Sequence, residues 1–266
     1  MASRPMVEAV VPQGTQPPTA VATRISRVLP TAKTSSADVL EEKTVLIYGP
    51  PGIGKSTLAS EWAGGEMFFF DAAGELGGLS VYRAPVGSWV EFREWAAEYA
   101  KAMTGENPPY RGCVIDDADM LGTFCAQYVR AKLSVIHQSD AEWGKGWDML
   151  KEEFESRLAK LRQMPGGVVL ISHSKTNEIK TAVEAYGRSV PTLTGGIREK
   201  CVNSADLVLF VDWAKSGEGR VIFTKPGKYH EAKERGQNPR LPEAIPWEVG
   251  RSGWDVLREA WYGEAP

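Results

Sequence analysis

Short apolar runs recur along the chain and are separated by segments of helical periodicity. Each run is four or five residues long and is followed by polar or glycine-containing sequence, which is typical of a buried strand. The runs cover residues 44–48, 67–70, 112–115 and 168–172, with a closely spaced pair at 207–211 and 220–224. We predict a sheet from these runs and a hairpin from the final pair, joined by the turn-like residues 215–219.

Amphipathic segments lie between the predicted strands. Ser88 and Glu91 have capping-box spacing, and apolar residues follow at intervals of three and four, which predicts a helix over residues 89–103. Further helices are predicted after residue 55 and around residues 154–161 and 254–261. This alternation predicts an α/β fold with a mostly parallel sheet, helices on both faces and an antiparallel edge hairpin.

Residues 1–36 lack a sustained period and are rich in proline. We predict a mobile N-terminal leader over 1–36 and one domain over 37–266. The leader's basic residues could touch nucleic acid, but its composition favours a solvated tail.

The amino-acid composition limits which partners and which cellular location we expect for the protein. The net charge of −3 and the pI near 5.8 give no global basic signature, so any nucleic-acid contact must come from a local patch. Cys113, Cys125 and Cys201 lack metal-type spacing and fit a reduced, cytosolic protein. No apolar run approaches the ~20 residues that span a bilayer. We therefore expect a soluble protein of the cytoplasm, without a membrane partner.

Residues 49–56 match the phosphate-binding pattern G-x-x-x-x-G-K-[ST] without a mismatch. A predicted strand precedes them and a predicted helix follows, as the motif requires. Lys55 would contact the β- and γ-phosphates of ATP, and Ser56 a magnesium ion. The alternative, a Gly/Pro turn with a solvated Lys55, fits these flanks less well. The predicted nucleotide-binding residues are Gly49, Pro50, Pro51, Gly52, Ile53, Gly54, Lys55, Ser56 and Thr57.

Asp116 and Asp117 follow the apolar run 112–115, at the strand end where parallel sheets place ligands. Two acids after a strand are also common at helix N-termini. Downstream of a phosphate loop, Asp116 is predicted to hold magnesium, usually through water, together with Ser56. The expected architecture is a RecA-like P-loop NTPase core.

The chain resembles the RecA-like NTPases encoded by bacteriophages, some of which act as single-strand annealing or recombination proteins. The resemblance covers roughly residues 44–246. It rests on the phosphate loop and on residues 114–117, 144–147, 170–173 and 232–235. It implies an ATPase that hydrolyses a phosphoric anhydride, and a homo-oligomer, ring or filament, with ATP near subunit boundaries.

The resemblance also implies catalytic roles. RecA-like enzymes carry a water-activating glutamate just after the second strand, where this chain has Ala72 and Ala73. Glu75, two residues late, is one candidate for this role, and Asp117 is the competing one. His173, at the tip of its strand, would sense the γ-phosphate; a structural histidine is the alternative.

Two further sets of basic residues are implied by the resemblance. Lys233 and Arg235 resemble residues that reach a neighbouring subunit's phosphates, although an ordinary solvated pair is nearly as good a reading. A loop after His173 would grip single-stranded DNA, with Tyr186 stacking on a base, unless it is a charged loop without a ligand. Its candidate residues are Lys175, Lys180, Arg188, Arg198 and Lys200.

These observations favour a magnesium-dependent, DNA-stimulated ATPase that holds single-stranded DNA during phage recombination or annealing in the host cytoplasm. One alternative is a helicase loader or another AAA-type motor or switch with a protein partner. The other alternative is an annealing scaffold that binds ATP with little turnover.

Overall fold

The computed structural model describes residues 38–181, 183–236 and 238–263. The predicted leader, residues 1–36, lies outside them. The strands are β1 (Thr44–Gly49), β2 (Met67–Asp71), β3 (Tyr82–Pro85), β4 (Gly112–Asp116), β5 (Gly167–Lys180), β6 (Ala185–Pro191), β7 (Leu207–Trp213), β8 (Arg220–Phe223), β9 (Lys233–Glu234) and β10 (Ala244–Trp247). The α-helices are α1 (Lys55–Glu61), α2 (Trp89–Met103), α3 (Ala118–Leu133), α4 (Lys145–Leu161), α5 (Gly195–Ser204) and α6 (Gly253–Tyr262).

The sheet has the strand order β10-β8-β7-β1-β5-β4-β2-β3. All neighbours from β7 to β3 pair in parallel, whereas β8 and β10 add an antiparallel edge. The predicted hairpin of the last apolar runs is therefore confirmed as β7 and β8. Strand β5 lies between β1, which leads into the phosphate loop, and β4, which ends in the carboxylates.

Alternating side chains of β1 show how the two faces of the sheet are covered. Val45 and Ile47 pack with α1 and α6, while Leu46 and Tyr48 pack with helices α2, α3, α4 and α5. A strand directs successive side chains to opposite faces, so a fully apolar strand requires a cover on both sides. The predicted helices on both faces are confirmed. Within the described ranges, no helix is long and apolar enough to cross a membrane.

Helix α2 begins and ends at the predicted residues. The Ser88 hydroxyl accepts a hydrogen bond from the Glu91 N–H, which satisfies an otherwise free donor of the first turn. Strand β3 and helix α3 were not predicted. Asp117 caps α3, and the buried face of α3 packs against α2 and α4.

The segment after His173 differs from the predicted loop. Strand β5 continues through His173 to Lys180, and its outer half pairs with β6 in an antiparallel hairpin, from Ser174 opposite Pro191 to Lys180 opposite Ala185. Pairing satisfies the backbone groups of these largely exposed residues, which a solvated loop would leave to water. Helix α5 then completes the segment.

Candidate functional site

The phosphate loop runs from the end of β1 to the start of α1. The Lys55 ammonium is buried in it and donates to the carbonyls of Gly49, at 3.1 Å, and Pro50, at 3.0 Å. Burial lowers the pKa of Lys55, and the carboxylate of Asp116 acts in the opposite direction. The lysine is thus held over the loop by weak carbonyl acceptors that phosphate oxygens can replace.

Two glycines of this loop are required by geometry. Gly54 has a φ of +99°, which disfavours any residue with a side chain. A Cβ on Gly49 would lie 2.3 Å from the carbonyl oxygen of Val211 in β7, so the loop begins in close contact with that strand. At the crest, Pro51 and Gly52 are exposed.

Asp116 ends β4 beside the phosphate loop. The Ser56 hydroxyl forms a hydrogen bond with the Asp116 carboxylate. The Oδ2 of this carboxylate is buried and has no hydrogen-bond partner among the described residues. Burial raises the pKa of Asp116 to about 6. A buried carboxylate oxygen without a partner is costly unless something binds it. The structure therefore brings together the two residues that were predicted to hold magnesium.

Magnesium fits these residues. The described part of the chain contains no cluster of three or more His, Cys, Asp or Glu side chains that could hold a metal alone. Mg²⁺ usually takes only one or two protein oxygens and fills its octahedron with water and substrate phosphates. Asp116, Ser56 and the adjacent phosphate loop supply that kind of site.

Asp117 connects three elements next to Asp116. Its Oδ1 accepts a hydrogen bond of 2.7 Å from the Met120 N–H at the start of α3, and its Oδ2 lies 3.2 Å from Nε2 of His173 on β5. Burial raises the pKa of Asp117, whereas the bond from Met120 and the nearby His173 lower it. The helix-capping interpretation of Asp117 is thus confirmed, and its catalytic role stays a prediction.

Asp119 and Thr192 belong to the same network, although the sequence did not single them out. The main-chain N–H of His173 donates to Asp119 Oδ2 at 2.9 Å, and the Thr192 hydroxyl donates to Asp119 Oδ1 at 2.8 Å. Thr192 directly follows β6. This network fixes His173 and the root of the β5–β6 hairpin to the start of α3.

Glu75 lies in the exposed loop after β2. Its charge acts on the pKa values of both Lys55 and Asp117, so it lies within electrostatic range of the site. The loop is anchored because the N–H groups of Ala72 and Ala73 donate to the Asp116 carbonyl at 2.7 and 3.1 Å. Glu75 and Asp117 both remain candidates for activating water.

Residues 41–236 match the model of an AAA domain family, AAA_24. The chain belongs to this AAA domain family. A KaiC-like protein from the hyperthermophilic archaeon Pyrococcus horikoshii OT3 is similar in structure, with 16% identity over 79% of this chain and 87% of that chain and a TM-score of 0.42. The RadB recombinase shows 15% identity over 80% of this chain and 90% of that chain, with a TM-score of 0.46. No curated protein sequence matches significantly.

The family match covers the phosphate loop, both strand-end aspartates and His173. Together with the strand order, it confirms the predicted fold, a RecA-like P-loop NTPase core. The chain is an α/β nucleotide-binding domain of the AAA type.

Lys233 and Arg235 lie at the opposite end of the sheet from the AAA domain's own phosphate loop, because β9 pairs with the first residues of β7. The Lys233 ammonium donates to the carbonyls of Val202, Asn203 and Ala205 at 2.8, 3.1 and 2.8 Å. Arg235 forms an ion pair with Asp206 at 3.1 Å. Both cations are engaged within the chain, and a role in a neighbouring site stays a prediction.

The five predicted DNA-binding cations divide between two elements of the AAA domain. Arg198 and Lys200 lie on α5 and are paired, Arg198 with Glu231 and Lys200 with Glu155. The others lie on the β5–β6 hairpin and are Lys175, Lys180 and Arg188.

Register sorts the hairpin cations by face. Arg188 lies opposite Asn177 and Tyr186 opposite Ile179, so Lys175, Tyr186 and Arg188 project from one face and Lys180 from the other. We call the first of these the cationic hairpin face.

A lysine that the sequence did not single out extends this face. The Lys228 ammonium lies 5.0 Å from the ring centroid of Tyr186 and 5.4 Å from that of Tyr229. Tyr229 is itself 61% exposed. The structure thus adds a second aromatic ring and a further cation beside Tyr186.

Proposed function

We propose that this AAA domain is a magnesium-dependent ATPase that binds single-stranded DNA as a homo-oligomer and acts in phage recombination or annealing. The observation that carries the proposal is the contact between Ser56 and Asp116, with the unpartnered Oδ2 of Asp116 beside it and Lys55 in the adjacent loop. These residues supply the positive charge and the oxygen ligands that a nucleoside triphosphate with magnesium requires.

Each side chain has a separate task in hydrolysis. Lys55 exchanges its carbonyl acceptors for β- and γ-phosphate oxygens and neutralises the charge that develops there. Magnesium, when bound at Ser56 and Asp116, neutralises further phosphate charge. Asp117 or Glu75 orients the attacking water and accepts its proton. Burial raises the pKa of Asp117, which makes this carboxylate a stronger proton acceptor.

The link to DNA follows from strand β5. His173 contacts Asp117 in the site, and the same strand continues into the hairpin that carries Lys175 and, on its partner strand, Arg188. Cations alongside aromatic rings are the usual means of holding single strands without sequence preference, through phosphate contacts and base stacking. The presence or absence of the γ-phosphate near His173 would therefore change the affinity of the hairpin for DNA through strand β5.

ATP hydrolysis measured with and without single-stranded DNA tests the proposal. We expect hydrolysis that DNA stimulates in the wild type and that Lys55→Ala abolishes. Hydrolysis by Lys55→Ala at the wild-type rate would contradict the assignment of the site. A rate of hydrolysis that is the same with and without DNA would favour a motor or switch with a protein partner. ATP binding with little hydrolysis would favour an annealing scaffold.

A salt titration of DNA binding tests the hairpin. We expect the double variant Lys175→Ala/Arg188→Ala to bind single-stranded DNA more weakly. The slope of log K against log salt should fall by about 1.4, since each lost phosphate contact contributes ~0.7 for single strands. Lys180→Ala, on the opposite face of the same hairpin, is the matched control. Equal effects of the two changes would argue against the cationic hairpin face as the DNA site.

A further inference from the structure

Arg220, the first residue of β8, lies against the phosphate loop. A Cβ on Gly54 would be 3.2 Å from its Nη1 and 3.2 Å from the ring of Trp247. The guanidinium stacks over Trp247, with its carbon 4.5 Å from the ring centroid, and lies 5.9 Å from the centroid of Trp213. No carboxylate in the described ranges forms an ion pair with it. The Arg220 guanidinium thus lies within cation–π distance of two indole rings, beside the phosphate loop.

Trp213, Arg220 and Trp247 lie at the same end of their strands, which is the end of the sheet where β1 leads into the phosphate loop. Trp213 ends β7, which is parallel to β1, while Arg220 begins the antiparallel β8 and Trp247 ends β10 opposite it. The phosphate loop follows the end of β1 at the same edge. Gly49 approaches the carbonyl of Val211, only two residues before Trp213.

The strand order gives a direction to a bound nucleotide. The residues for the metal end, Asp116 on β4 and His173 on β5, lie on one side of β1. Strands β7 and β8 lie on its other side. A triphosphate that spans the loop with its γ-phosphate toward β4 must extend its nucleoside toward β7 and β8, where Trp213 and Arg220 lie.

Trp247 provides a rigid support for Arg220. It is 2% exposed, and its indole N–H donates to the Arg251 carbonyl at 2.9 Å. A Cβ on Gly253 would lie 2.6 Å from its ring, so α6 begins in close contact with this indole. Trp213, in contrast, is 53% exposed and offers a free aromatic surface.

We propose that Trp213 and Arg220 form a nucleobase site, in which the base stacks on the Trp213 indole. Arg220, which packs on Trp247, holds the Trp213 indole in place and lies beside the base. This inference rests on the proposed function, because it requires a nucleoside triphosphate in the phosphate loop. Stacking accepts any base and strengthens with ring area, so purine nucleotides should bind more tightly than pyrimidine nucleotides.

Calorimetric titrations with ATP and with inorganic tripolyphosphate, both with magnesium, separate the base site from the phosphate site. We expect wild type to bind ATP more tightly than tripolyphosphate. Trp213→Ala should weaken ATP binding roughly 5- to 150-fold, as loss of base stacking does, and leave tripolyphosphate binding unchanged. Trp213→Phe should restore part of the difference, and Arg220→Ala should reduce it. Trp95→Ala, at another partly exposed tryptophan, is the control.

The outcomes distinguish the two proposals. An ATP-to-tripolyphosphate affinity ratio that Trp213→Ala leaves unchanged would overturn the base site alone, and so would an equal loss for both ligands. A wild-type protein that binds neither ligand would overturn the proposed function and the base site with it. Lys55→Ala should weaken both ligands together, since it acts on phosphate.

Discussion

The Oδ2 of Asp117 lies 3.2 Å from Nε2 of His173, while the other oxygen of the same carboxylate caps α3 through Met120. One acid thus joins the end of β4, the start of α3 and the middle of β5. Under the proposed function its removal would affect both catalysis and stability, and the two effects can be separated by the choice of substitution.

Asp117→Asn should reduce hydrolysis by about 10²- to 10⁴-fold if this acid activates water. It should not lower the free energy of unfolding, because asparagine caps helices about as well as aspartate. Asp117→Ala should also lose about 1 kcal/mol of stability. Steady-state hydrolysis and urea unfolding measure the two effects. Wild-type turnover in Asp117→Asn, with a loss in Glu75→Gln, would assign the role to Glu75 instead.

Asp116→Asn should increase the free energy of unfolding of the nucleotide-free protein at pH 8. Burial raises the pKa of Asp116 from 3.8 to about 6, so the folded state resists an ionisation that the unfolded chain undergoes freely. The resulting penalty is absent below pH 3.8, grows up to about pH 6 and is then constant, at no more than about 3 kcal/mol.

Urea unfolding of wild type and Asp116→Asn at pH 4 and pH 8 checks this prediction. The stability difference should appear at the higher pH only. The same variant should lose magnesium-dependent ATP binding, so a gain in stability would accompany a loss of function. An equal difference at both pH values would contradict the cause that we assign.

Tyr48→Phe should destabilise the protein by about 1–3 kcal/mol, because it leaves buried partners unpaired. The Tyr48 hydroxyl lies 3.0 Å from the Ser189 carbonyl and 2.5 Å from the Glu231 carbonyl, and accepts from the Glu231 N–H at 3.0 Å. Burial raises the pKa of Tyr48, so its hydroxyl stays protonated. Hydrogen exchange should show faster opening of β6, while Tyr128→Phe, at a less buried ring, should leave β6 unchanged.

Lys233→Ala should lower the free energy of unfolding by about 1–3 kcal/mol, since three carbonyls around the end of α5 lose a charged donor. Arg235→Ala removes a half-exposed ion pair and should cost no more than about 1 kcal/mol. Denaturant titrations measure both. A Lys233→Ala protein of wild-type stability without ATPase activity would instead favour a role in a neighbouring subunit's site.

Local signals made parts of this fold predictable. Helix α2 is specified by its cap and its apolar spacing, and the phosphate loop by glycines with positive φ, a backbone conformation that residues with a side chain rarely adopt. The hairpin of β5 and β6 was not predictable in the same way. Its residues are mostly polar and half-exposed, so pairing rather than burial sets its conformation, and no apolar alternation marks it.

The residues of the candidate site likewise separate into those that local sequence predicts and those that only the tertiary structure brings together. Lys55, Ser56 and Asp116 follow from motif and strand position. The position of Arg220 does not, because its contact with Gly54 joins residues distant in the sequence and depends on the strand order. The partners of Asp119 and Thr192 are likewise set by tertiary structure.

Strand β5 contains 14 residues without a break, so it has a length of ~46 Å at ~3.3 Å per residue. Its first half is clamped between β1 and β4, and His173 lies at the point where the clamp ends. Beyond that point the strand extends for another ~23 Å as one arm of the β5–β6 hairpin. A tilt of the hairpin by about 5° at His173 would move its tip by ~2 Å. A displacement of this size is enough to make or break a phosphate contact.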